Sequence, residues 1–215
     1  MSEIVPTILA ENPEIYKQQM ENVQVFATRL HIDFTDGNFA ENQTIPLSDI
    51  WWPENVDADI HAMVQKPEDY LADLIRLRPN MVLFHAESEG NLPSVFVTLQ
   101  QYGIKAGLVL LRKTVPANAA ELIELVDHVM IFAGELGRYG SKAHMMQLEK
   151  VRLIKKINPL VEIGWDGGVM VDNAYSLVQG GVNVLNVGGT IQKATDPPAM
   201  FAKLQQEISK TGVLG

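Results

Sequence analysis

Short runs of apolar, often β-branched residues alternate along the chain with longer stretches in which apolar residues recur every three or four positions. The runs are Ile4–Leu9, Thr28–Phe34, Ala58–Val64, Met81–His85, Ala106–Leu111, His128–Phe132, Val161–Trp165 and Val184–Val187. Runs this short and this continuously apolar predict strands buried on both faces, as parallel strands are. The intervening stretches predict helices over Pro13–Glu21, Pro67–Leu77, Leu92–Tyr102, Ala117–Val126, Met145–Ile157, Val171–Gln179 and Pro197–Ser209. Asn12 before Pro13 is a good cap with proline in the first helical position. In Pro67–Leu77 the side chains of Tyr70, Leu71, Leu74 and Leu77 share one face, with acids in the first turn. The weakest segment is Thr44–Pro53, which predicts a single turn.

Strictly alternating strands and helices imply parallel β–α units. Eight of them in 215 residues fit a compact (β/α)8 barrel, the α/β architecture expected here. The rival is an open doubly wound sheet, but no GxGxxG follows the first strand, so its dinucleotide-binding version has little support. With no internal repeat, low-complexity stretch or linker, residues 1–215 read as one barrel domain.

Composition narrows the function. Apolar residues make up 47% and charged residues 20%, an ordinary globular balance. The net charge of −9 speaks against nucleic acid as a partner, and an anionic ligand would need a local binding device. With no cysteine, disulfides, thiolate metal sites and a cysteine nucleophile are all excluded. The amino terminus lacks the charge and apolar pattern of a secretory signal, and no apolar run approaches the span of a bilayer. A cytoplasmic protein without membrane contacts is the expectation.

In such a barrel, chemistry belongs at the carboxyl ends of the strands. Residues two apart on a strand point the same way, so His31 and Asp33 project inward together while Leu30, Ile32 and Phe34 face the helices. The third strand repeats the pattern with Asp59, His61 and Met63, and the seventh ends in Asp166-Gly167-Gly168. Imidazoles and carboxylates buried together need a shared cation or one another's hydrogen bonds. The choice is between a divalent metal site for Zn, Fe, Mn or Co and a salt-bridged polar layer without metal; the doubling of the motif on neighbouring strands, with Asp166, favours the metal. Gly137-Arg138-Tyr139-Gly140, Gly167-Gly168 and Gly188-Gly189 follow strands six, seven and eight. Such loops let backbone N–H groups approach a phosphate; tight turns are the plain alternative. His85 is expected to support the site or to be a satisfied core histidine, and His128 and His144 to lie at the surface. Trp51, Trp52 and Trp165 read as packing residues, and Arg112-Lys113 as a solvated turn.

Taken in chain order, these motifs resemble those of the ribulose-phosphate 3-epimerase family. They are Pro6-Thr7-Ile8-Leu9, His31-Ile32-Asp33-Phe34-Thr35-Asp36-Gly37-Asn38-Phe39, Asp59-Ile60-His61-Ala62-Met63-Val64, His85-Ala86-Glu87, Gly137-Arg138-Tyr139-Gly140-Ser141-Lys142, Asp166-Gly167-Gly168-Val169 and Val187-Gly188-Gly189. The resemblance implies His31, Asp33, His61 and Asp166 as ligands of one divalent metal ion, with Asp33 and Asp166 as the acid/base pair. It implies Thr7 and Met63, with His61, as substrate contacts and the glycine loops as the phosphate site. It also implies a phosphorylated ketose substrate, ribulose 5-phosphate or a close analogue, a place in the pentose phosphate pathway and a homo-oligomer, in which Trp51-Trp52 would suit the interface. The chain departs from the family pattern at Thr35, which replaces a methionine, at Gly189, which replaces a serine, and in a longer loop after the sixth strand, where Arg138 is added as a compensating cation. These changes leave open a hexulose 6-phosphate such as allulose 6-phosphate, and a non-catalytic phosphosugar-binding barrel. Related barrels that decarboxylate sugar acids or make hexulose phosphates carry DxKxxD on the second strand; here Asp33 occupies the lysine position, which argues against that chemistry.

Overall fold

The computed structural model describes residues 2–136 and 142–210. Eight parallel strands close into a barrel in chain order: β1 (Glu3–Ile8), β2 (Arg29–Thr35), β3 (Asp57–Met63), β4 (Met81–His85), β5 (Lys105–Leu110), β6 (His128–Phe132), β7 (Glu162–Asp166) and β8 (Val184–Val187), with β8 pairing back onto β1. The helices are α1 (Pro13–Val23), α2 (Leu71–Leu77), α3 (Leu92–Gln101), α4 (Ala120–Glu124), α5 (Glu149–Ile157), α6 (Val171–Gln179), α7 (Gly189–Gln192) and α8 (Pro197–Ile208). The expected (β/α)8 barrel is the fold observed. Among the described residues no helix is long and apolar enough to cross a membrane.

Period-two alternation divides the apolar residues into two separate clusters. Outward-facing Leu30, Ile32, Ile60, Phe84, Leu108, Ile131, Ile163, Trp165 and Leu185 pack against the helices. Inward-facing Met81, Leu83, Val109, Met130 and Phe132 fill the interior of the barrel.

Below that apolar plug lies a polar floor at the amino ends of the strands. Arg29 donates from Nε to Asp59 (2.7 Å) and from its terminal nitrogens to Glu3 (3.3 Å) and Glu162 (3.2 Å). His128 Nδ1 lies 2.7 Å from Glu162 Oε2. The expectation that His128 is a surface group is therefore corrected: it opens β6 with its ring turned inward, where Gly164 on β7 leaves the space it occupies. Asp59 likewise belongs to this floor and not to the mouth.

The floor has a pH signature. Burial would push the Glu162 carboxyl up, but His128 and Arg29 outweigh it and hold the group at about 2. A depressed carboxyl stabilises the fold above its unfolded value, near 4.5, and loses that contribution as pH falls toward 2. Because the side chain is 40% exposed, solvent screening limits the effect to about 1 kcal/mol or less. In guanidinium titrations the advantage of the wild type over Glu162→Gln should shrink between pH 4.5 and 2; an advantage unchanged across that window would refute the assignment.

After β2 the chain makes the single turn expected there, a 3-10 turn at Leu47–Asp49, and is pinned by Tyr16 donating its hydroxyl to the Trp51 carbonyl (2.6 Å) and by Ile45 N–H to the Ala10 carbonyl (3.1 Å). Other segments depart from the expectation. The fourth helix is a 3-10 turn, Pro116–Ala119, followed by a short α4, because Ala119 leaves helical geometry at φ −118°, ψ 21°. The four-residue α7 directly after β8 was not expected.

Candidate active site

The residues that the alternation rule places inward on β2 and β3 meet at the carboxyl end of the barrel. In the parallel ladder Asp33 stands opposite His61, and His31 opposite Thr7. Asp33 Oδ1 lies 2.8 Å from His61 Nδ1 and 3.3 Å from His31 Nε2. Asp166, the last residue of β7, faces them across the mouth, and one potential ligand atom from each of His31, Asp33, His61 and Asp166 lies within 4.8 Å of all the others. His31 and His61 are fully buried and Asp33 nearly so.

Enclosure makes the two carboxyls unequal. Burial and the charge of Asp33 push Asp166 up to about 7. Asp33 goes the other way, to about 2: burial opposes its charge, but the imidazoles of His31 and His61 beside it prevail. His61 falls to about 4, mainly by burial, with His85 and His31 opposing its cation and Asp33 favouring it. His31 is raised because Asp33, Asp166 and Asp59 outweigh its burial. Near neutral pH the cluster thus holds one ionised carboxylate beside one carboxyl poised to gain or lose a proton, the pairing that general acid–base chemistry uses.

Above the cluster opens a cavity of about 280 Å³. Thr7, Asp33, Met63, Asp166, Gly167, Gly168, Gly188 and Gly189 all line it, so the structure brings these candidate residues to one space. His31 and His61 are not among the lining residues; they belong to the cluster beneath it, so His61, expected as a substrate contact, does not face the cavity. Gly137, Arg138, Tyr139 and Gly140 lie outside the described residues.

Other lining residues were not singled out from sequence: Phe132 on β6, Glu135 after it, Asn186 on β8 and Lys193 after α7. Phe132 and Asn186 had a usable signal, since they sit two residues after Met130 and two before Gly188 on inward-facing positions. Thr35 is not among the lining residues; its hydroxyl bonds the Asn42 carbonyl and its N–H the Thr44 hydroxyl, which ties down the loop after β2. Asp36 braces the same loop, accepting from Asn38 and Phe39 N–H at Oδ1 and from Gln65 N–H at Oδ2.

The donor set fits a divalent ion. Two imidazoles and two carboxylates are ligands that zinc, iron, manganese and cobalt all accept. Buried His31 Nε2 has no hydrogen-bond partner among the described residues, and two carboxyls are crowded at one point where a cation would relieve their repulsion.

Fold and site together define a (β/α)8-barrel protein with a two-histidine, two-aspartate centre beneath a glycine-lined cavity. The chain matches the Ribulose-phosphate 3 epimerase family over residues 3–192, and it belongs to that family. It is 30% identical over 209 residues to a ribulose-phosphate 3-epimerase of Helicobacter pylori (strain ATCC 700392 / 26695), covering 94% of this chain and 96% of the relative. It is 28% identical over 213 residues to that of Aquifex aeolicus, covering 95% and 96%. Among solved structures, 3-hexulose-6-phosphate synthase from Salmonella typhimurium superposes with a TM-score of 0.74 at 15% identity, covering 97% of this chain and 98% of that one, a likeness of fold alone.

Proposed function

We propose that this protein is an isomerase that inverts C3 of a ketose phosphate, with ribulose 5-phosphate and xylulose 5-phosphate as the reference pair. The observation that carries the reading is the placement of Asp33 on β2 and Asp166 on β7 in one buried cluster under the cavity, with protonation preferences pushed apart. One carboxylate takes the C3 proton from one face of the sugar, and the other carboxyl returns a proton to the opposite face. A single base would tend to restore the original configuration; two bases on separate strands avoid any need for a side chain to swing across.

His31, Asp33, His61 and Asp166 would hold a divalent cation, which supplies, when bound, a Lewis acid for the negative charge that develops on the two sugar oxygens. The chain itself does the positioning. The loops after β7 and β8 receive the phosphate at Gly167, Gly168, Gly188 and Gly189, with Lys193 as the cation on that wall. Anchoring the far end of the substrate converts binding energy into alignment of C3 between the carboxyls. Met63 and Phe132 present apolar surface to the reacting carbons and exclude water.

One observation supports a second substrate. Thr35 stands where the family has a methionine, a larger side chain, and this substitution favours a longer ketose, a hexulose 6-phosphate. Incubation of five- and six-carbon ketose phosphates in deuterium oxide reads both possibilities. Epimerisation with deuterium at C3 is expected for at least one of them, and chelation should lower the rate by at least ~100-fold. Tight phosphosugar binding without turnover of any of them would favour a binding protein instead, and full activity after metal removal would sink the Lewis-acid role.

A further inference from the structure

The two ring nitrogens of His61 face different neighbours. Nδ1 points into the cluster, 2.8 Å from Asp33 Oδ1, and Nε2 lies 2.8 Å from Nε2 of His85. His85 ends β4, is fully buried, and is clasped between the rings of Phe39 (4.6 Å between centroids) and Phe132 (6.0 Å). Its remaining nitrogen, Nδ1, has no hydrogen-bond partner among the described residues, and neither has Glu87 Oε2; these two buried atoms face each other at 3.6 Å. A small side-chain shift brings that separation into the range of an N–H···O bond. Glu87 is anchored through its other oxygen, which accepts from the Leu111 N–H (3.2 Å) and the Thr114 hydroxyl. Lys150 holds the same loop by donating to the carbonyls of Leu111 (2.6 Å) and Arg112 (3.2 Å). A chain of contacts, open only at the 3.6 Å step between Glu87 and His85, therefore runs from the loop after β5 through Glu87, His85 and His61 to the centre.

The chain has a direction. An ionised carboxylate only accepts, so Glu87 calls for a proton on His85 Nδ1. A neutral imidazole then offers Nε2 as an acceptor, which calls for a proton on His61 Nε2. His61 Nδ1 is then left as a lone pair facing the cluster, the form a metal ligand must have, against the pull of Asp33 Oδ1, which at 2.8 Å draws a proton to that nitrogen when no cation is bound. We propose that His85 and Glu87 are positioning residues, which fix the tautomer and ring orientation of His61 and so set the affinity of the centre for its cation. This assignment rests on the metal reading of the site given above. It adds two residues that touch neither the substrate cavity nor the four ligand atoms.

The test measures zinc and manganese affinity by competition with a chelator, alongside thermal stability and nitrogen-15 spectra of the histidine rings in metal-free protein. Glu87→Gln, at a partly exposed position that tolerates an isostere, should weaken metal binding about 10–100-fold while leaving the melting temperature near that of the wild type. In the metal-free ring Asp33 draws the His61 proton to Nδ1 and the His85–Glu87 pair draws it to Nε2, so the share on Nε2 should be larger in the wild type than in the variant. Glu87→Asp should recover part of the affinity. Because the two residues act as one chain, Glu87→Gln combined with His85→Gln should bind no more weakly than the weaker single variant. Wild-type affinity in Glu87→Gln, an unmoved tautomer, or losses that add and follow the melting temperature would overturn the positioning role while leaving the metal site standing. A wild-type protein that takes up neither ion would overturn the metal reading itself, and this proposal with it.

Discussion

Asp33→Asn and Asp166→Asn should each leave a folded barrel that no longer interconverts the two C3 epimers. Asparagine keeps the shape of aspartate and much of its hydrogen bonding but neither takes up nor returns a proton in this chemistry. Loss of one general acid–base partner costs about 10²–10⁴ in rate, and inversion needs both partners in every turnover. Each variant retains at most exchange of the epimer whose C3 proton faces the surviving carboxyl. The measurement is incorporation of deuterium at C3, followed from each epimer separately, together with circular dichroism to verify folding. Epimerisation in either variant at a rate near the wild type would rule out the two-carboxylate scheme. The partners are not equivalent in the resting protein, where Asp33 sits low beside two histidines and Asp166 is pushed up to about 7 by burial and by Asp33. The difference should appear as unequal losses of C3 deuterium exchange between the two variants.

Gly167→Ala should injure both stability and turnover. Gly167 adopts φ +105°, where a side chain is strained, and a Cβ there would sit 2.2 Å from the backbone nitrogen of Gly134 and 2.5 Å from its Cα. Those are main-chain atoms, so no rotamer change relieves the overlap, and the ends of β6 and β7 must separate. The neighbouring carbonyl of Asp166 accepts from the Ala133 N–H at 2.7 Å, so the displacement is transmitted to the carboxyl that faces Asp33. Strain of this kind costs about 1–3 kcal/mol from the backbone alone, with the steric overlap added to it. A shift of the catalytic group by about 1 Å lowers kcat/KM by about 100-fold. Gly103→Ala is the control: it also has positive φ, +75°, but nothing lies within 4 Å of its added Cβ. It should lose about 1 kcal/mol and no activity. Denaturant titration and steady-state kinetics on both variants decide the matter, and equal behaviour of the two would show that the close approach of the β6 and β7 loops is unimportant.

Much of the site could be read before any coordinates because the information is local. His31 and Asp33 are two residues apart on β2, and His61 and Met63 on β3, so period two alone sends each pair to one face. Other assignments failed for a reason that is not local. Asp59 and His61 share the same spacing and the same inward direction, yet Asp59 bonds Arg29 on the floor while His61 meets Asp33 at the mouth. His128 begins an apolar run and looked peripheral, but it is buried in the same floor. Thr35 continues the inward row of β2, but bonds to Asn42 and Thr44 draw it into the loop.

The amino-acid order carries the alternation of strands and helices, the closed parallel barrel that eight such units imply, and the face that each strand residue occupies. All of these follow from periodicities of two and of three to four residues along a single segment. The depth at which each inward side chain sits, and therefore which of the acids and histidines share a layer, is set by the folded barrel. That depth depends on the stagger of neighbouring strands, which closure of the whole barrel imposes and no single segment encodes.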